Sequence, residues 1–140
     1  MVPQFLVPLG VVKRSLLPIE GVHTIDGRGT VATGKIEHIY KGPAPINGAM
    51  LATAGDLLFF GDLDRRVRAL DATTGKVLWE QTVGGPIANS TITYSVNGQQ
   101  YLAVATGDGL LTQSVIGYAP GFKEPKGANA IYVFALPQKK

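Results

Sequence analysis

The chain repeats itself. Thr33-Gly34-Lys35-Ile36 returns as Thr74-Gly75-Lys76-Val77, an offset of 41 residues. Ile25-Asp26 precedes the first copy as Leu70-Asp71 precedes the second, at slightly different spacing, and the second copy ends in Trp79 where the first has His38. A period near 40 residues belongs to architectures that reuse one supersecondary unit, and a unit of four short strands is the blade of a β-propeller.

The segments around the repeat carry strand signals. No stretch shows a convincing apolar stripe at helical spacing; short apolar runs bounded by turn residues dominate instead. Residues 49–53, 57–61, 66–71 and 76–82 read as four strands, separated by Ala54-Gly55-Asp56, by Asp62-Leu63-Asp64-Arg65 and by Ala72-Thr73-Thr74-Gly75. Turns this tight predict an antiparallel meander. A second series follows at residues 90–94, 100–105 and 130–136, with Asn97-Gly98 as the strongest hairpin signal in the sequence. Between the last two strands lies a long Gly- and Pro-rich loop, Thr106 to Asn129; loops of that length in a compact domain serve a function or remain disordered.

Composition closes off several alternatives. With 140 residues the chain fits one domain, and 45% hydrophobic against 16% charged residues gives it a core to bury, unlike a disordered chain. A net charge of +3 with scattered basic pairs (Lys13-Arg14, Arg65-Arg66, Lys139-Lys140) provides no basic stripe for nucleic acid. There is no cysteine, hence no disulfide or thiolate chemistry. The apolar start, Met1 to Pro18, does not read as a signal peptide, because its cations follow the apolar run and Pro3 and Pro8 interrupt it; it is also too short and too broken to span a bilayer.

The run from Ala69 through Leu70-Asp71-Ala72-Thr73-Thr74-Gly75-Lys76-Val77-Leu78 to Trp79 resembles the tryptophan-docking repeat of the quinoprotein (PQQ-dependent) alcohol dehydrogenases. The residue types suit that role. Trp buries a large flat area and keeps one N–H for a neighbouring backbone, Gly75 permits a positive φ, and Asp71 can cap turn N–H groups. Ile46-Asn47-Gly48 with Leu51 to Phe59 resembles a late-blade pattern of that family, Ile92 to Val104 its final hairpin, and Ala130 to Pro137 its last strand. The match spans residues 29–137, with 1–28 as an N-terminal segment of unclear match and 138–140 as a tail. The resemblance implies an all-β fold of four-stranded antiparallel β-propeller blades, about two of the eight in a complete ring. It further implies PQQ on the ring axis, a Ca²⁺ or lanthanide ion beside it, a small alcohol oxidised by hydride transfer to the quinone with a carboxylate as base, and a periplasmic setting. Hard cations of that kind need several oxygen ligands, and the cofactor carries the difficult chemistry.

Only a little of that machinery carries over residue by residue. Ile46, Asn47 and Gly48 match the loop whose backbone approaches the quinone, with a simple turn as the competing reading. Gly107-Asp108-Gly109-Leu110 matches a loop at the pocket mouth but lacks the family's bulky aromatic. The family's metal-binding Glu and Asn, its catalytic Asp, its cofactor-contacting Arg and its paired cysteines have no counterpart here. Trp79 reads as a wedge between blades. His23 and His38 lack a partner cluster at ligand spacing. Asp62 and Asp64 resemble paired carboxylates but are expected in a solvated turn, and Asp108 likewise. Ser90, Ser95 and Ser114 lack a nucleophile elbow, and Gly107-Asp108-Gly109 lacks the rest of a dinucleotide fingerprint. Three functions follow: a truncated alcohol dehydrogenase that works when its missing blades are supplied, a non-catalytic assembly module that oligomerises through its blade edges, or a small enzyme of unrelated chemistry using Asp62, Asp64, His38 or Asp108. Two blades leave open strand edges, which invite pairing with another chain.

Overall fold

A computed structural model of the protein describes residues 14–15, 24–29, 36–109, 123 and 129–137. Within these residues the chain is all strand, in three antiparallel sheets. The first joins β1 (Arg14–Ser15), β2 (Thr24–Gly29) and β3 (Ile36–Gly42). The second is a four-stranded meander of β4 (Leu51–Ala52), β5 (Leu57–Gly61), β6 (Arg66–Asp71) and β7 (Val77–Thr82), each paired with the next. The third holds β8 (Thr91–Val96), β9 (Gln99–Thr106) and β10 (Ala130–Ala135), with β9 in the middle. The seven strands expected from the sequence are all present, β4 shorter than expected and β9 longer. The first sheet was not anticipated. Most of the long loop, residues 110–122 and 124–128, lies outside the described residues, as do His23, Thr33 to Lys35, Ser114, the N-terminal residues 1–13 and the tail 138–140.

Local chemistry sets the turns. Asn97 (φ 50°) and Gly98 (φ 78°) are both left-handed, as a two-residue hairpin turn of the I′ type requires. At the β6–β7 turn, Asp71 accepts from the N–H groups of Thr73 (3.0 Å) and Thr74 (2.7 Å) and from the Thr74 hydroxyl (2.9 Å). These bonds hold the Asp71 carboxyl below its usual range, those from Thr74 most strongly. Gly75 follows at φ 71°, and a Cβ there would fall on the Ile39 carbonyl of β3. Its glycine is therefore required twice, by conformation and by contact with the neighbouring sheet.

Two hydrophobic cores form, one at each sheet-to-sheet junction. Alternation along the strands of the second sheet sends residues to opposite faces. Ile46, Leu58, Phe60 and Leu70 pack with Ile39 and Tyr40 toward the first sheet, and the Tyr40 and Phe60 ring centroids stand 5.3 Å apart. Phe59, Val67, Ala69, Val83 and Ile87 pack with Leu102, Val104, Tyr132 and Phe134 toward the third. Trp79, on the outer strand β7, meets Phe134 edge-on at 5.1 Å. Pairs of this kind are worth about 1 kcal/mol beyond the area they bury. The Tyr132 hydroxyl accepts from the Gly84 N–H at 2.9 Å and ties β10 to the segment leaving β7.

The far face of the third sheet is different. Ile92, Tyr94 and Val96 on β8 and Ile131 and Val133 on β10 share it through the β9 register, in which Ala103 pairs with both Ile92 and Val133. Ile131 is 75% exposed, Ile92 56% and Val133 51%. Among the described residues this apolar face has nothing packed on it.

Candidate functional site

Four segments meet at one end of the second and third sheets. The first is the loop that leads from β3 into β4, with Ala44, Pro45 and Ile46 buried. The second is the β5–β6 turn. The third is the loop from β7 into β8, and the fourth is the start of the segment after β9. Two of their bonds share the period at the acceptor, a relation that no local sequence pattern displays. Leu63 N–H donates to the Pro45 carbonyl at 3.0 Å, and Gly107 N–H donates to the Pro86 carbonyl at 2.9 Å. Pro45-Ile46 and Pro86-Ile87 are the same dipeptide one period apart. Both isoleucines are buried, at 2% and 0% exposure. The Asp62 carbonyl also accepts from the Ile87 N–H at 3.1 Å, so the β5–β6 turn touches both lead-in loops. Gly48 closes the join, since a Cβ there would stand 2.5 Å from the Asn89 carbonyl oxygen.

The three residues expected to face a cofactor lie in this region. Ile46 is core, while Asn47 and Gly48 are half-buried beside Asn89. The backbone, not a charged side chain, is what this loop presents.

Asp62 corrects the expectation of a solvated turn. It is 1% exposed and sits under the join. One carboxylate oxygen accepts from the Arg66 N–H at 3.0 Å and the other from Arg68 Nη1 at 2.5 Å. Arg68 is buried as well, donates from Nε to Glu80 at 2.6 Å, and lies 5.8 Å above the Tyr40 ring. Arg66 pairs with Glu80 at 2.8 Å and with Asp64 at 3.3 Å at the half-exposed rim. Burial pushes the Asp62 carboxyl above its usual value, against the opposing pull of Arg68 and the Arg66 N–H. Burial pulls Arg68 down, but its bond and attraction to Asp62 win and hold the guanidinium above its usual value. A buried charge pair survives only with such bonding. The sequence held the signal. Arg66, Arg68 and Leu70 alternate onto one face of β6, and Leu70 is core, so Arg68 had to be buried with a partner.

The other candidates stay apart. His38 on β3 and Asp108 after β9 are exposed, as are Ser90 and Ser95. Among the described residues no group of three or more His, Cys, Asp or Glu side chains could hold a metal ion. Among the described residues, no side-chain set therefore fits a hard cation. An organic cofactor has a backbone edge to meet at Asn47-Gly48; of the arginines near the β5–β6 turn, Arg66 and Arg68 are engaged by Asp62, Asp64 and Glu80, while Arg65 Nε is buried without a partner. No helix among the described residues is long and apolar enough to cross a membrane.

Comparison with known proteins gives this geometry a family. Residues 25–102 match the PQQ family model described as the glucose/ethanol/alcohol dehydrogenase β-propeller domain. The chain is 37% identical over 108 residues to the quinohemoprotein alcohol dehydrogenase of Comamonas testosteroni, covering 77% of this chain and 14% of that one. It is 49% identical over 69 residues to a cytochrome c-linked lupanine 17-hydroxylase from a Pseudomonas species, covering 49% of this chain and 10% of the relative. Among solved structures, a europium-containing methanol dehydrogenase superposes with a TM-score of 0.65 at 27% identity, covering 81% of this chain and 23% of that one. The Comamonas enzyme superposes with a TM-score of 0.60 at 26% identity, covering 83% and 18%. The protein belongs to the PQQ-dependent dehydrogenase β-propeller family. It spans about one seventh of the length of the Comamonas relative.

Proposed function

We propose that this chain supplies the last blades of a PQQ-dependent alcohol dehydrogenase and acts in alcohol oxidation once the remaining blades complete the ring. One observation carries the reading. The far face of the third sheet is apolar, with Ile131, Ile92 and Val133 more than half exposed, and it has the alternation of a face that packs on another sheet. Contiguous exposed apolar surface of this kind marks an interaction site. The opposite face of the same sheet, built from Leu102, Val104, Tyr132 and Phe134, already packs on the second sheet.

In this reading the lead-in loops face the ring axis, and Ile46, Asn47 and Gly48 bring backbone to the edge of PQQ. The quinone supplies the hydride-accepting chemistry when bound. The metal ion, its ligands and the catalytic base come from outside the described residues, so no reaction step is assigned to a side chain of this chain. Trp79 acts as the wedge between neighbouring blades, the substrate is a small alcohol, and the setting is the periplasm, as the resemblance implies.

Reconstitution tests the proposal. The chain is combined with the Comamonas enzyme lacking its own matching segment, then supplied with PQQ and Ca²⁺. The expected outcome is PQQ-dependent alcohol oxidation that needs both parts, with Gly48→Val, whose side chain would push the loop backbone away from the Asn89 carbonyl, weakening PQQ binding about tenfold while the two parts still associate. Association of the parts without PQQ-dependent oxidation would reject the catalytic reading. It would favour the second one, a non-catalytic assembly module that oligomerises through its blade edges.

A further inference from the structure

The Asp62–Arg68 pair is an expensive feature in a place where an apolar pair would serve packing equally well. Replacing buried ion pairs by hydrophobic residues of similar volume is often neutral or stabilising. Its position suggests what it does. Asp62 is the one residue of the β5–β6 turn whose backbone and side chain are both engaged at the join. Its carbonyl holds Ile87 of the lead-in loop to β8 at 3.1 Å, and Leu63, the next residue, holds Pro45 of the lead-in loop to β4 at 3.0 Å. Its carboxylate fixes the turn itself, through the Arg66 N–H at 3.0 Å and Arg68 at 2.5 Å. The turn needs such fixing, because Arg65 is held at φ 65°, a left-handed conformation unusual for a residue with a side chain. Arg68 is in turn held by Glu80 on β7 and by the Tyr40 ring from the first sheet. The pair thus ties the β5–β6 turn to β6, β7 and the Tyr40 ring of the first sheet, and the turn it fixes bonds both lead-in loops, one through Asp62 and the other through Leu63.

We infer that Asp62 and Arg68 are positioning residues that lock the two lead-in loops, Pro45 to Gly48 and Pro86 to Asn89, into one rigid edge. The inference rests on the reading above only in its last step, that this edge meets PQQ. Asparagine at 62 keeps an oxygen for the Arg66 N–H, so the sheets stay in place, but it loses the carboxylate's second acceptor for Arg68; the turn is freed and the loops move independently. The buried charges act here through hydrogen-bond direction: the Asp62 carboxylate accepts from a backbone N–H and a guanidinium at once, which an apolar residue cannot do.

Amide hydrogen exchange, resolved residue by residue by NMR on the whole chain, tests this. In the unsubstituted protein the Leu63, Ile87 and Gly107 amides should open together with one common protection factor. In Asp62→Asn their exchange should rise about tenfold or more, while amides of the β9–β10 ladder keep their rates. A uniform rise across all sheets would show a role in global stability alone and overturn the inference, as would unchanged exchange at Leu63 and Ile87. If Asp62→Asn does not fold, Arg68→Lys keeps the charge but loses the guanidinium fork; selective loosening of the same three amides supports the lock, and its absence refutes it. Calorimetry with PQQ on the same samples separates the two layers. No PQQ binding by the unsubstituted chain in its reconstituted complex defeats the site reading, while the exchange result still decides the lock. Equal PQQ affinity in a variant with loosened loops would show that the lock does not serve the cofactor.

Discussion

Gly75 and Asp71 show how single residues set the junction between sheets. Gly75 is the repeated glycine of the 41-residue period, and its φ of 71° together with the Ile39 carbonyl leaves no room for a methyl group. Gly75→Ala should cost about 3 kcal/mol or more, from the strained φ and from separation of the first two sheets, read as a lower midpoint in denaturant. At Gly98, φ 78° with open space around it, the same change should cost clearly less, because conformation alone opposes it. Asp71 makes a pH prediction. Its folded pKa lies below the ordinary 3.8, so the stability it contributes is present above that value and is lost as pH falls through the lowered one. In Asp71→Asn the oxygen still accepts from Thr73 and Thr74 without the charge. The stability difference between parent and variant should therefore shrink as pH falls below about 4, measured by thermal unfolding. A difference that stayed constant with pH would show that ionised Asp71 adds nothing to the turn.

At the scale of elements, the second sheet and its buried ion pair form the keystone between two cores. Asp62→Leu or Arg68→Met alone leaves one charge buried without its partner and should cost about 3–5 kcal/mol. The double variant should cost far less than the sum, which a double-mutant cycle in urea would show as strong coupling. Additive losses would mean that the two side chains act separately. This element also marks the limit of sequence reading. The strands of the second and third sheets were legible because their apolar alternation and turn residues agree, as at Asn97-Gly98. The first sheet was not, because the copy of the repeat around Ile25 to His38 has lost the Trp and carries weaker alternation. Asp62 reads as solvated in the sequence because two carboxylates beside Arg65 and Arg66 look like a charged surface turn. Only the register of β6, which puts Arg68 beside core Leu70, moves Asp62 indoors. The Pro-Ile dipeptides at 45–46 and 86–87 were a second copy of the period in plain view. Their meaning lies in carbonyl bonds to other loops, which no local pattern displays.

For the whole molecule, three sheets in series with an apolar core at each junction describe an arc of propeller rather than a closed body. The arc ends in a sheet whose far face resembles its packed face in composition but, among the described residues, has nothing on it. That explains how a chain of this family can carry the Trp79 repeat and the loop Ile46 to Gly48 while lacking any side-chain set for a metal ion among its described residues. The most direct test of this view is titration calorimetry of the chain against the remaining blades of the Comamonas relative. The account predicts saturable one-to-one binding with a strongly negative heat-capacity change, as apolar burial requires. It also predicts loss of binding when Ile131→Lys and Val133→Lys are introduced together, with the strand content of the chain unchanged. Failure of the parent chain to bind, or binding untouched by the two lysines, would contradict the claim that this face belongs inside a ring.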